Sequence, residues 1–304
     1  MIADGNHLPA RVRRRALGTG CTCAGLLVLV YLLAVWTPAG QRFEDAVLRY
    51  AQAAVGGADG TLALRTLAQI NVPVVVTVMI TVLVVAAVRR TPLVGFVGIG
   101  VIVVSVALAE LVQRAVLRPI LLDHGVRRVD QSFPSGHTAV AMSVLCALVL
   151  VVPYRFRGVV VLVSSLWAAS VEVATVTASW HRPSDTIGSD LIVVAVACAA
   201  VALVARDGRV RPATAGTAAG RTARTLLTVG YAVVALLAFA GAVVIAAVLA
   251  AHPDRVGTGG AVLTAGRAVA LSGSAGVALA LLGLLRGVDL APPVPDRHED
   301  RELP

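Results

Sequence analysis

Eight stretches of this chain are too apolar, for too long, to face water. They run roughly over residues 17–37, 71–88, 93–115, 137–153, 158–179, 186–205, 226–251 and 261–285. About 20 apolar residues are needed for a helix to cross the hydrocarbon of a bilayer. Inside that hydrocarbon every backbone N–H and C=O must find a partner in the protein, which leaves helices and closed barrels as solutions. Ala, Val and Leu dominate, aromatics are 4% of the residues, and no sustained polar–apolar alternation marks barrel strands. The fold class is therefore all-α, a polytopic transmembrane helical bundle. With 58% hydrophobic and 14% charged residues, and a mean hydropathy of +0.86, lipid is the solvent for much of the surface.

The net charge is +9, and every basic residue is Arg. A strongly basic chain raises the possibility of nucleic-acid binding, but these arginines cluster in short segments between the apolar runs. Arg11, Arg13, Arg14 and Arg15 precede the first run. Arg89 and Arg90 follow the second, and Arg155 and Arg157 separate the fourth from the fifth. Arg206, Arg209, Arg211, Arg221 and Arg224 lie between the sixth and seventh, and Arg297 and Arg301 lie in the tail. With eight spans, every one of these segments falls on one side. The positive-inside rule makes that side cytoplasmic, with both termini there and no nucleic acid as partner. The first run is long and has no clear small-residue cleavage site, so it reads as an anchor rather than a signal peptide.

The segment 41–54 mixes Arg42, Glu44, Asp45 and Arg49 with Phe43, Val47 and Leu48. It reads either as an amphipathic helix at the outer interface or as a solvated loop. Residues 206–225 read as a cytoplasmic linker between a six-span core (1–205) and a two-span C-terminal appendage (226–286). Residues 287–304 read as a disordered tail. Ser272 and Gly276 suit close helix packing in the last span. The four cysteines show no metal spacing, and Cys146 and Cys198 read as small buried hydrophobes.

Polar residues at membrane depth are costly, so their positions are informative. They gather in three segments at the extracytoplasmic ends of spans three to six. In Pro134-Ser135-Gly136-His137, Ser135 is a good N-cap for span four and Gly136 admits a ligand to the backbone. His137 then stands in the first turn, beside any anion held at the helix N-terminus. In His181-Arg182-Pro183-Ser184-Asp185, Asp185 four residues on can fix the tautomer of His181 and free its other nitrogen as a nucleophile or base. Arg114 and Arg118-Pro119 end span three, and an arginine fork matches a phosphate. Capped helix starts, an interfacial histidine and snorkelling arginines explain each segment alone. Their convergence on one side of the membrane suits phosphoryl transfer through a phosphohistidine, one histidine attacking and the other protonating the leaving alcohol. Glu172, about two and a half turns inside the membrane from His181, reads as a partner for Arg114, a polar wall or a contact to another helix.

These residues resemble the type 2 phosphatidic acid phosphatase family over spans one to six. That family carries a Lys and then Arg-Pro, a Pro-Ser-Gly-His, and a Ser-Arg followed by His-x-x-x-Asp. Arg118-Pro119, Pro134 to His137, and His181 with Asp185 match. The resemblance implies a metal-independent lipid phosphatase with no cofactor, in the plasma membrane, with its site on the extracytoplasmic face. It implies His181 as nucleophile, Asp185 as its orienting group and His137 as acid, with Arg118, Ser135 and Gly136 on the phosphate. The family's Lys is missing, and Arg114 is the nearest substitute. Ala174 and Thr175 stand where Ser-Arg is expected, so Arg182, Arg127 or Arg128 must compensate. The implied substrate is a polyprenyl phosphate or pyrophosphate, or a phosphatidic-acid-like lipid. The lost Lys and Arg keep open a non-hydrolytic lipid-phosphate binder or a phosphotransferase on the same scaffold. The Lys-free composition suggests a bacterial, cell-wall setting.

Overall fold

A computed structural model of the chain describes residues 7–122, 132–213, 217–251 and 259–291. Ten helices and two short strands are found among them. In chain order they are α1 (His7–Val30), continued by one π-helical turn over Tyr31–Val35, α2 (Pro38–Ala54), α3 (Ala58–Leu67), α4 (Val72–Val88), α5 (Pro92–Ala115), α6 (Gly136–Val151), α7 (Tyr154–Thr177) and α8 (Pro183–Arg206). After strand β1 (Val210–Pro212) come α9 (Ala218–Ala251), α10 (Gly259–Leu284) and strand β2 (Val288–Leu290). The chain is an all-α polytopic helical bundle, and each of the eight apolar runs lies on a helix.

Six helices are individually long and apolar enough to cross a membrane, and a seventh span results if α3 and α4, bent by 52°, act as one. α6 falls short. Its 16 residues reach about 24 Å at 1.5 Å per residue, against roughly 30 Å of hydrocarbon. Most of α6 is buried by its neighbours α5, α7 and α8, so it has no need to match the bilayer.

α2 is a helix, one of the two readings of this segment, and it buries one of its faces against the bundle. Thr37 caps it, accepting from the Gly40 N–H at 3.0 Å, and Pro38 begins it. Its polar residues Gln41, Glu44 and Asp45 are buried along with Val47, Leu48 and Ala51. The charged face turns inward because cationic partners wait for it there.

α10 is not an outlying appendage either. It packs on α2, α7 and α8 as well as on α9. Glycines at every seventh position make this possible. A Cβ at Gly259 would strike the Tyr50 ring, one at Gly266 would stand 2.5 Å from Val47, and one at Gly273 would strike the Asp190 carboxylate. The Gly276 expected to serve this purpose faces open space. Beside the seam, the Ser274 hydroxyl donates to Glu172 at 2.6 Å, so Glu172 faces α10 rather than Arg114. α9, in contrast, exposes Leu226, Leu236, Leu237 and Phe239 along its outer side.

The supposed linker and the start of the supposed disordered tail are structured together. β1 and β2 pair antiparallel, Val210 opposite Leu290 and Pro212 opposite Val288. Arginines fasten the strand pair to the bundle. Arg157 donates to the Val288 carbonyl at 2.7 Å, and Arg89 donates to Leu290 at 3.0 Å and to Asp289 at 3.1 Å. The helical part of the linker, with Arg221 and Arg224, already belongs to α9. Residues 292–304, including Arg297 and Arg301, lie outside the described residues.

Candidate active site

Four helix ends meet at the end of the bundle opposite the arginine clusters: the close of α5, the start of α6, the close of α7 and the start of α8. α7 ends in a Schellman turn. Ser179 adopts φ +56°, its N–H donates to Val176 at 3.1 Å, and the Trp180 N–H donates to Thr175 at 3.0 Å. The turn aims His181 back across the start of α8. α8 then opens at Pro183, where the missing N–H of proline costs nothing.

His181 Nδ1 lies 3.1 Å from the Ser132 carbonyl and 3.4 Å from Asp185 Oδ2. Both neighbours are acceptors, so Nδ1 carries the proton and the lone pair sits on Nε2. The route to this pairing differs from a continuous helical face. Arg182 is the N-cap residue, its N–H donates to Asp185 Oδ2 at 2.9 Å, and His181 reaches the same carboxylate from outside the helix. Asp185 is fully buried, and its other oxygen accepts from Arg118 at 3.1 Å.

The Ser135–His137 turn is clamped onto α8. The Ser135 N–H donates to the Asp185 carbonyl at 2.9 Å, and the Ser189 hydroxyl donates to the Ser135 carbonyl at 2.6 Å. Ser135 Oγ accepts from the Thr138 N–H at 3.4 Å, capping α6 while keeping its own O–H to donate. The N–H groups of Gly136 and His137 have no partner among the described residues. A Cβ at Gly136 would meet nothing within 4 Å, so open space adjoins those donors. His137 sits edge-on to Trp180, ring centroids 5.2 Å apart, and the two imidazoles lie within each other's electrostatic reach.

The arginines are placed unequally. Arg118 is 9% exposed and donates to Glu44 at 3.0 Å as well as to Asp185. Burial works against its charge, but Glu44 and then Asp185 outweigh that and hold its pKa above the ordinary value. Arg182 is buried and pairs with Asp45 at 3.1 Å. Each keeps a buried Nε–H without a partner. Arg114 does not join them. Its side chain is 79% exposed and pairs with Glu110 at 3.3 Å on the outer side of α5. The spacing that made Arg114 attractive is a property of one helix face, and that face turns away from the cluster. Arg127 and Arg128 lie outside the described residues.

Residues 91–209, from the start of α5 to just past α8, match the model of the PAP2 superfamily. This part of the chain belongs to the PAP2 superfamily. No curated protein and no solved structure matches the chain. The PAP2 region contains all three of the polar segments, and its superfamily generally hydrolyses phosphate esters.

Much of what holds the site lies outside the PAP2 region, on α2. Besides Arg118, Glu44 accepts from the Ser184 N–H at 2.9 Å, capping α8 with a carboxylate. That occupies the N-terminus of α8 and leaves the α6 start open to a phosphate. Burial raises the Glu44 pKa and Arg118 opposes the rise. Gln41 donates to Val35 at 2.8 Å and to Pro119 at 2.6 Å, and accepts from the Leu121 N–H at 3.1 Å, fixing the chain after Arg118. The signal was present in the spacing. Positions 41, 44, 45 and 48 form one helical stripe, and its acidic members lie at the same end of the bundle as Arg118 and Arg182.

One glycine in the PAP2 region is decisive for the clamp. Phe133, joined to Pro134 by a cis peptide, buries its ring against Gly188 of α8. A Cβ at Gly188 would stand 2.6 Å from that ring and 3.3 Å from Pro134. Gly188→Ala is expected to push the Ser135–His137 turn off α8 and to cost about 1–3 kcal/mol of overpacking. Thermal melting in detergent reads the cost. An unchanged midpoint would mean that the turn is not seated on α8 this way.

Proposed function

We propose that this chain is a metal-independent membrane lipid phosphatase that uses His181 as nucleophile. The observation that carries the proposal is the Nδ1 environment of His181. Two acceptors on one ring nitrogen leave the other nitrogen unprotonated, beside a helix N-terminus with unused N–H groups. His181 Nε2 attacks phosphorus, and the P–O bond to the leaving alcohol or phosphate breaks as His137 gives that oxygen a proton. Water then attacks phosphorus as the P–N bond breaks, with His137 taking the water's proton, and inorganic phosphate and free His181 result. The backbone at Gly136 and His137 holds the phosphate oxygens, with the buried Arg118 and Arg182 guanidiniums adding positive charge nearby. The substrate is a lipid phosphomonoester or pyrophosphate, either polyprenyl or phosphatidic-acid-like, met at the extracytoplasmic face. The arginine-rich opposite end of the bundle supports that orientation.

A second reading is a non-hydrolytic binder or a phosphotransferase. It is favoured by the pairing of Arg118 and Arg182 with Glu44, Asp185 and Asp45, which leaves the site less cationic than its arginine count suggests. The experiment is phosphate release by the purified chain, with EDTA present, from phosphatidic acid, undecaprenyl phosphate and undecaprenyl pyrophosphate. Release from at least one lipid, lost in His137→Ala, is the expected result. No release from any lipid favours the binder, and release abolished by EDTA contradicts the metal-free mechanism.

A further inference from the structure

At the opposite end of the bundle from the histidines, a cavity of about 490 Å³ opens between α7, α9 and α10. Four arginines line it: Arg157 from the first turn of α7, Arg221 and Arg224 from α9, and Arg286 just after α10. No carboxylate lines it among the described residues. Arg224 lies flat over the Tyr154 ring at 3.8 Å and donates to the Tyr154 carbonyl at 3.4 Å, so its position is fixed by packing rather than by a counter-ion. Arg157 is 4% exposed. Its Nε and one terminal nitrogen are spent on the carbonyls of Val149, Leu285 and Val288. Its other terminal nitrogen is buried without a hydrogen bond. The nearest carboxylate to it, Asp289 at 3.5 Å, is held more closely by Arg89 at 3.1 Å.

Asp289 already faces that nitrogen, so what calls for an anion is the convergence of four guanidiniums on one cavity whose described lining holds no carboxylate, a positive field that an anion would complete. The walls say what kind of anion. Val229, Leu279 and Leu282 line the same cavity, and Val229 is 53% exposed on the lipid-facing side of α9. α9 leans on α10 and only grazes α7, which leaves the wedge open along the bundle's flank. Arginines at the helix ends with an apolar groove leading from them match a phosphate joined to an acyl chain.

We propose that this cavity binds the phosphate headgroup of an anionic phospholipid, in the leaflet opposite the one that the histidines face. The site joins α9 to the core through the lipid and is separate from the phosphatase chemistry. Soluble phosphate shares the headgroup's chemistry, so the test must part the two sources. The purified full chain in neutral detergent is titrated with dioleoylphosphatidylglycerol, with dioleoylphosphatidylcholine and with inorganic phosphate, and bound molecules are counted by native mass spectrometry.

The expected result is retention of phosphatidylglycerol over phosphatidylcholine, weakened at least about tenfold in Arg224→Gln/Arg286→Gln. The variant's melting midpoint without lipid reports whether it is folded. Arg286→Glu alone, at an exposed position, is the second variant should the double one melt early, and it too should weaken retention. Equal retention of phosphatidylglycerol by the wild type and either folded variant would overturn the site. Inorganic phosphate displacing the lipid at equal concentration would overturn the lipid as its source.

Discussion

His181→Ala is expected to lower phosphate release by at least about 10³-fold while leaving the fold intact. The two halves of that expectation come from different contacts. The catalytic loss follows from removing the imidazole held by both Ser132 and Asp185. The intact fold follows because Asp185 keeps its other partners, Arg118 and the Arg182 N–H, when the imidazole is gone. His181 is only 11% exposed, so the truncation leaves a pocket of imidazole size rather than open water. Imidazole added to His181→Ala should therefore restore part of the turnover, which a merely structural histidine would not allow.

His137→Ala should behave differently. An alkoxide leaving group needs a proton, whereas a nitrophenolate leaves without one, so in the phosphorylation step, read as the burst of released alcohol, its loss should be large on a lipid ester and small on nitrophenyl phosphate. Wild-type turnover in His181→Ala would sink the nucleophile assignment. Equal slowing of the burst on both substrates in His137→Ala would sink the acid.

The helices and the chemistry-bearing segments were readable in the sequence for distinct reasons. A bilayer forces spans to announce themselves by length, so the eight runs each fall on a helix, with only α1 and α9 beginning well ahead of their apolar cores. Histidines at membrane depth have few uses, so Pro134 to His137 and His181 to Asp185 were conspicuous. The failures are of side-chain direction. Arg114 and Arg118 sit four residues apart, yet one faces outward to Glu110 and the other inward to Glu44, because the chain leaves helical geometry at Val116. α10 looked detachable together with α9 because the polar stretch 206–225 separates the pair from the six-span core. Only the structure shows Gly259, Gly266 and Gly273 meeting α2 and α8.

Glu44→Ala is expected to destabilise the protein by about 3–5 kcal/mol, since it leaves Arg118 buried without one of its two carboxylates. It also strands the Ser184 N–H at the start of α8, a loss of the kind that costs about 1–3 kcal/mol by itself. Glu44→Gln separates the two contributions, because an amide oxygen still accepts from Ser184 but supplies no charge. Melting midpoints should therefore fall in the order wild type, Glu44→Gln, Glu44→Ala.

The consequence for activity is more specific. Arg118 is shared between Glu44 and Asp185, and Asp185 is what orients His181. Removing the Glu44 charge turns the whole of the Arg118 attraction onto Asp185 and draws that carboxylate away from the imidazole. Folded Glu44→Gln should then lose kcat with little change in KM, because the phosphate seat at Gly136 is untouched. Pairing it with Arg118→Gln removes the competing pull, so the double variant should be less impaired than the two single losses combined. Strict additivity would mean that Glu44 only caps α8. Coupling would mean that a carboxylate on α2, outside the PAP2 region, sets the poise of the histidine inside it.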